Sequence, residues 1–180
     1  MKKFGLWISL MVLALLASCG HPGHHHGDGQ SGLRPNEALV SLAPVGSGFI
    51  PVINREPFII ERAKPGEPVS ATWRLPAKEA GSMISIEIKR VQILEEAAKN
   101  PGGKATAAQL LGAVKLLGEA RGSCPLVKPD GGDCACKSAQ GQNSATCSFK
   151  PGFPTVFKYD ICIERPAGVK TCLDPTGMIN

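Results

Sequence analysis

The chain has 180 residues, seven cysteines and a formal net charge of +5, of which two units come from Lys2 and Lys3 at its start. A length of this order suits one domain with its own core, and the mild positive excess falls far short of the basic stripe of a nucleic-acid binder. With one tyrosine and 5% aromatic residues, a surface for stacking sugars or bases is not expected.

Lys2 and Lys3 precede an apolar run from Leu6 to Ala17, the charged start and apolar middle of a secretory signal. The run is too short for a dedicated membrane span, and no later stretch is long and apolar enough to be one. It ends in Leu16-Ala17-Ser18-Cys19, which resembles the lipobox of bacterial lipoproteins. That resemblance implies that residues 1–18 are a signal peptide and that the Cys19 thiol takes a diacylglycerol. Cys19 then becomes residue one of a mature chain of 162 residues (180 less 18) with a net charge of +3 (+5 less two lysines). One acyl chain binds a bilayer marginally, whereas two or three hold a protein there. Gly20 after the lipid cysteine resembles outer-membrane lipoproteins if the host is Gram-negative, because the inner-membrane retention signal is Asp at that place.

Residues 19–48 are read as the lipidated cysteine and a flexible tether, since Gly20 to Asn36 is Gly, His, Pro, Ser and Gln and too polar to fold alone. This tether holds the chain's four histidines, His21, His24, His25 and His26. Neutral imidazoles on a flexible chain can wrap a Zn, Cu or Ni ion, in a site suited to capture more than to catalysis. The competing reading is a soluble spacer that happens to be rich in histidine. No other cofactor is expected.

Residues 49–180 are read as the folded domain. Pro57-Phe58-Ile59-Ile60-Glu61 is a short strand closed by the turn Lys64-Pro65-Gly66, and Val69, Ala71, Trp73 and Leu75 share one face of the next. Ile84, Ile86 and Ile88, then Val91 and Ile93, make a longer strand whose change of phase predicts a bulge near Lys89-Arg90. After the breaker Asn100-Pro101-Gly102-Gly103, Ala107, Leu110, Leu111, Val114 and Leu117 follow the spacing of one apolar helical face, giving a helix near 104–118. Residues 122–152 form a cysteine-rich loop without hydrophobic period. Phe157, Tyr159, Ile161 and Ile163 then alternate with polar neighbours, and Pro166-Ala167-Gly168 turns the chain into Val169, Thr171 and Leu173.

Several short strands with a buried Trp in an early one resemble an immunoglobulin-like fold. Tyr159-Asp160-Ile161, Leu173-Asp174-Pro175 and a final apolar pair resemble small bacterial sandwich domains of the DP-EP family, a likeness of about 25 residues that bears on fold and not on activity. The expected class is all-β, an immunoglobulin-like antiparallel β-sandwich with one inserted helix and a disulfide-stapled loop. No cysteine precedes Trp73, so the bridge that links the sheets of antibody domains is not expected.

Six cysteines remain after Cys19, an even number that in an exported chain reads as a disulfide framework. A three-residue loop centred on Ala167 pairs Glu164 with Lys170, Ile163 with Thr171 and Cys162 with Cys172, so those two cysteines are expected to bridge, the alternative being that each bridges to the upstream cysteine-rich loop. Cys124, Cys134, Cys136 and Cys147 are expected to pair among themselves, as 124–134 with 136–147 or as 124–136 with 134–147. Their spacing departs from zinc-site pairs, and a redox Cys-x-x-Cys is absent.

Catalysis has little to build on. Every histidine lies in the tether, so Ser-His-Asp and Cys-His schemes cannot form inside the domain. Glu95-Glu96 and Asp130 with Asp133 are carboxylate pairs of solvated turns, and no phosphate-cradling or dinucleotide motif occurs. The chain is therefore read as a non-enzyme: a lipid-anchored, disulfide-stabilised binding or structural module of the bacterial cell envelope. Its partners would be the membrane, through the lipid, and an envelope protein. The alternative is a metal-handling lipoprotein that captures Cu, Zn or Ni through its His tract.

Overall fold

The computed structural model describes residues 33–117, 123–127 and 134–180. Alternating apolar residues and turn-forming glycines and prolines divide them into β1 (Glu37–Val45), β2 (Gly48–Ile53), β3 (Phe58–Ile60), β4 (Val69–Arg74), β5 (Met83–Ile93), α1 (Ala107–Lys115), β6 (Ala135–Lys137), β7 (Ser144–Phe149), β8 (Thr155–Glu164), β9 (Lys170–Leu173) and β10 (Thr176–Ile179). One sheet has the order β2-β1-β4-β7; the other runs β3-β10-β8-β5-β6, with β9 added beside β8.

The inward positions of both sheets form one core. Ala38, Val40, Ala71, Trp73, Ala145 and Phe149 come from the first sheet, and Ile84, Ile86, Phe157, Tyr159, Ile161 and Ile163 from the second. Trp73 crosses between them, its indole N–H donating to the Tyr159 hydroxyl at 3.2 Å and its ring edge-on to Phe58 at 5.1 Å. Burial pushes the Tyr159 phenol well above its usual value; the Trp73 hydrogen bond opposes the rise and the Glu56 carboxylate adds to it. A phenol raised in the folded state contributes stability below its unfolded pKa of about 10, and that contribution is lost as the pH climbs toward the folded value. Tyr159 is the chain's one tyrosine, so tyrosinate absorbance reads it alone. Its alkaline ionisation should accompany unfolding rather than precede it, and Tyr159→Phe should flatten the alkaline loss of stability.

The helix lies over the outside of the second sheet, where Leu110 and Ala113 pack with Val156 and Met178. Thr106 caps it: its hydroxyl accepts from the Gln109 N–H at 3.2 Å while the Gln109 side chain accepts from the Thr106 N–H at 2.9 Å. The buried stripe differs from the expected one. Ala107 and Leu111 face solvent, Ala113 is buried in their place, and Val114 and Leu117 are half-buried.

Three further expectations change. The sheets are mixed rather than antiparallel, because β1 pairs in parallel with β4 and β10 in parallel with β3. These neighbours are not consecutive: after β2 the chain crosses to the second sheet as β3 and returns as β4 on the far side of β1. The folded part also starts before residue 49, since residues 37–45 are β1 and Ala38 and Val40 are fully buried. Lastly, the sheets are bridged after all, by Cys136 of β6 and Cys147 of β7. Asn36 anchors the entry to β1 in a left-handed conformation (φ 60°), and its side-chain amide makes both hydrogen bonds of a strand partner to the Glu61 backbone, at 2.8 and 3.0 Å.

Candidate functional site

Cys19, His21, His24, His25 and His26, residues 19–32 of the expected tether and the pair Asp130 and Asp133 lie outside the described residues. The remaining six cysteines pair as Cys124–Cys134, Cys136–Cys147 and Cys162–Cys172. Cys162 and Cys172 stand directly opposite on β8 and β9, flanked by the pairs Ile163 with Thr171 and Glu164 with Lys170. Gly168, at φ 77°, supplies the left-handed residue of the turn. With the described cysteines all bridged, no group of three or more His, Cys, Asp or Glu side chains among the described residues is placed to hold a metal ion.

The carboxylates were the other candidates. Glu95 and Glu96 sit in a short turn, Glu95–Lys99, where Glu96 pairs with Lys99 at the surface. A second pair was not singled out from the sequence: Glu87 and Asp160 stand opposite on β5 and β8. Lys89, at the edge of the expected bulge between Ile88 and Arg90, reaches both, with Nζ at 2.6 Å from Glu87 and 3.3 Å from Asp160. The hydrogen bond to Glu87, helped by Asp160, raises the Lys89 pKa against the effect of burial. A lysine held charged between two carboxylates is a clamp across the strands and not a nucleophile.

The described residues form clefts at the surface, among them these two. One of about 130 Å³ is walled by Val91, Ile93, Pro125, Pro151 and Phe153 beside Cys124. Behind it the buried Arg62 guanidinium donates to the Gly103 carbonyl at 2.7 Å and the Gly152 carbonyl at 3.3 Å, tying the two turns together; burial lowers its pKa. The other cleft, about 230 Å³, lies between Gly81, Met83, Gly141 and the Glu164–Gly168 turn. Arg165 at its rim is already engaged by the Glu79 carboxylate at 3.1 and 3.2 Å and stacks 3.8 Å above the Phe49 ring. Neither cleft is lined by a histidine or by an unbridged cysteine.

The outer faces of the two sheets differ in chemistry. The second carries the Lys89 cluster and the helix, whereas the first exposes Ser70, Thr146 and Ser148 on β4 and β7, and Val45, Ile50 and Val52 on β1 and β2. Sequence reasoning placed Val45 in the tether and so missed this surface. A signal was available, for no charged residue occurs between Glu37 and Arg55. Compared with known protein families and with curated proteins, the chain matches none.

Proposed function

We propose that this chain is a lipid-anchored binding or structural module of the bacterial cell envelope, a disulfide-stabilised, immunoglobulin-like domain carried on a flexible tether, and not an enzyme. The observation that carries this reading is Leu16-Ala17-Ser18-Cys19 behind Lys2, Lys3 and the apolar run. Three disulfides in one small domain support an oxidising compartment. Gly20 supports the outer membrane in a Gram-negative host, where the membrane is met through the lipid and an envelope protein is the partner. Mass spectrometry of the mature chain tests it: the wild-type N-terminal peptide should begin at Cys19 and carry diacylglycerol, and Cys19→Ala should abolish both cleavage there and the added mass. Mature chains that differ only by the substitution would refute the reading.

A second reading is favoured by one observation, the packing of all four histidines between His21 and His26. On this reading the tether captures Cu, Zn or Ni for a partner. A peptide of residues 20–30 should then bind such an ion about as tightly as the whole mature chain, with affinity falling as the pH drops through about 6.5 and the imidazoles protonate. Binding that requires the folded domain would place the ligands elsewhere.

A further inference from the structure

The hairpin of β1 and β2 is unusual in what it leaves uncovered. Val45 is 55% exposed, Ile50 46% and Val52 41%. Ile50 faces Ala43 and Val52 faces Ser41 across the ladder, so these side chains share the outer face of the hairpin. Gly46 (φ 57°) begins the two-residue turn that joins the strands. Elsewhere the exposed apolar residues stand close to charge in the sequence: Ile59 near Glu61, Ile93 near Glu95, Leu111 and Leu116 around Lys115. Here Val45 and Ile50 are at least five residues from any charge, only Val52 comes within three of Arg55, and Glu37 at the start of β1 is itself buried against Arg74.

We propose that the outer face of this hairpin rests on the lipid surface to which the tether is attached, so that the domain lies against the bilayer on one chosen side. The inference builds on the lipidation of Cys19. Reach permits it: residues 19 to 32 span up to about 50 Å when extended, whereas β1, which starts just beyond them, is only about 30 Å long. The tether can therefore run back past the far end of the hairpin. Footprint favours lipid over a second copy. Two strands covering six residues of β2 present roughly 200 Å², well under the approximately 800 Å² per partner of a stable dimer. A bilayer accepts so small a contact because the acyl chains already hold the protein there, at an effective concentration that lets a weak contact be occupied. From Ala38 to Asn54 the hairpin carries no carboxylate, and Glu37 before them is paired with Arg74, which removes the repulsion that anionic lipids would otherwise exert.

The test uses the unlipidated chain from Cys19 onward, with the Cys19 thiol coupled to a maleimide-bearing lipid in phosphatidylcholine vesicles. This separates the contact from cellular processing: failure to find lipid on Cys19 in cells would remove the proposed function, whereas the vesicle result reads the hairpin alone. Ile50→Trp or, as a second probe, Val52→Trp places an indole on the face; Thr146→Trp, on β7 of the same sheet, is the control. Trp73 is fully buried and Trp7 precedes Cys19, so both stay silent. With brominated phosphatidylcholine, emission from the hairpin probes should be strongly quenched and that from Thr146→Trp unchanged. Adding Val45→Asp should weaken the quenching by about tenfold in effective contact. Unquenched hairpin probes would overturn the proposal. So would equal quenching at Thr146, which means indiscriminate embedding, or a vesicle-independent blue shift in a chain that sediments as a dimer, which gives the face to a second copy.

Discussion

Gly177→Ala is expected to cost about 3 kcal/mol or more, at the upper end for overpacking a core. Gly177 lies on β10 directly across from Phe157 of β8, and the Phe157 ring covers the side of the backbone where a side chain would start. A Cβ there would meet Cε1 at 2.9 Å and Cζ and Cε2 closer still. The ring cannot swing aside, since it is fully buried, stacked on Phe149 at 5.5 Å and tilted against Tyr159 at 5.6 Å. The loss would take a large part of the 5–15 kcal/mol typical of a domain. Urea denaturation measures it, and adding Phe157→Leu should restore part of the loss by clearing the ring. A variant within about 0.5 kcal/mol of wild type, the range of an ordinary surface substitution, would show that the core yields there.

The second large effect comes from comparing two bridges. Cys136–Cys147 and Cys162–Cys172 close loops of nearly equal length, with separations of 11 and 10 residues. Their effect on the unfolded chain is therefore almost the same, about 3 kcal/mol each. Their surroundings differ. Cys147 is 1% exposed and its bridge joins strands of different sheets, whereas the other bridge lies within one sheet and leaves Cys172 exposed. Cys136→Ala/Cys147→Ala should lose at least about 1 kcal/mol more than Cys162→Ala/Cys172→Ala, the difference being the void left between the sheets. Equal losses in denaturant would argue that the inter-sheet bridge acts on the unfolded chain alone.

What the sequence revealed depended on how local the signal was. The β8–β9 hairpin was legible because turn chemistry, alternation and two pairs of opposed residues, Glu164 with Lys170 and Cys162 with Cys172, agree on one register. The bulge after Ile88 showed as a break in phase within one strand. β1 and β2 were hidden by Pro44, Gly46, Gly48 and Pro51, which read as linker although the prolines fit the ends and the edge of a sheet. β6, three residues long, is too short for any period to show, so the sequence offers the Cys136–Cys147 pairing as one of two alternatives but not that it joins the two sheets. The parallel pairs of β1 with β4 and β3 with β10 rest on contacts between distant strands, which no local pattern encodes. Of the site, the hydroxyl and apolar face of the first sheet went unseen because β1 falls within the expected tether and β2, although inside the expected domain, carries no recognisable strand pattern.

The place of β10 also sets the order in which this protein can be made. β3, at residues 58–60, has β10 as its neighbour, and β10 in turn stands between β3 and β8. A ribosome that has finished β3 must add more than a hundred residues before the strand that completes that side of the sheet exists. Closure over such a separation is slow, and a chain waiting for it keeps its apolar faces open. Under the export proposed above, the delay is an advantage: the strand that completes that side of the sheet follows β3 by more than a hundred residues, so threading of the unfolded chain can begin before that side closes.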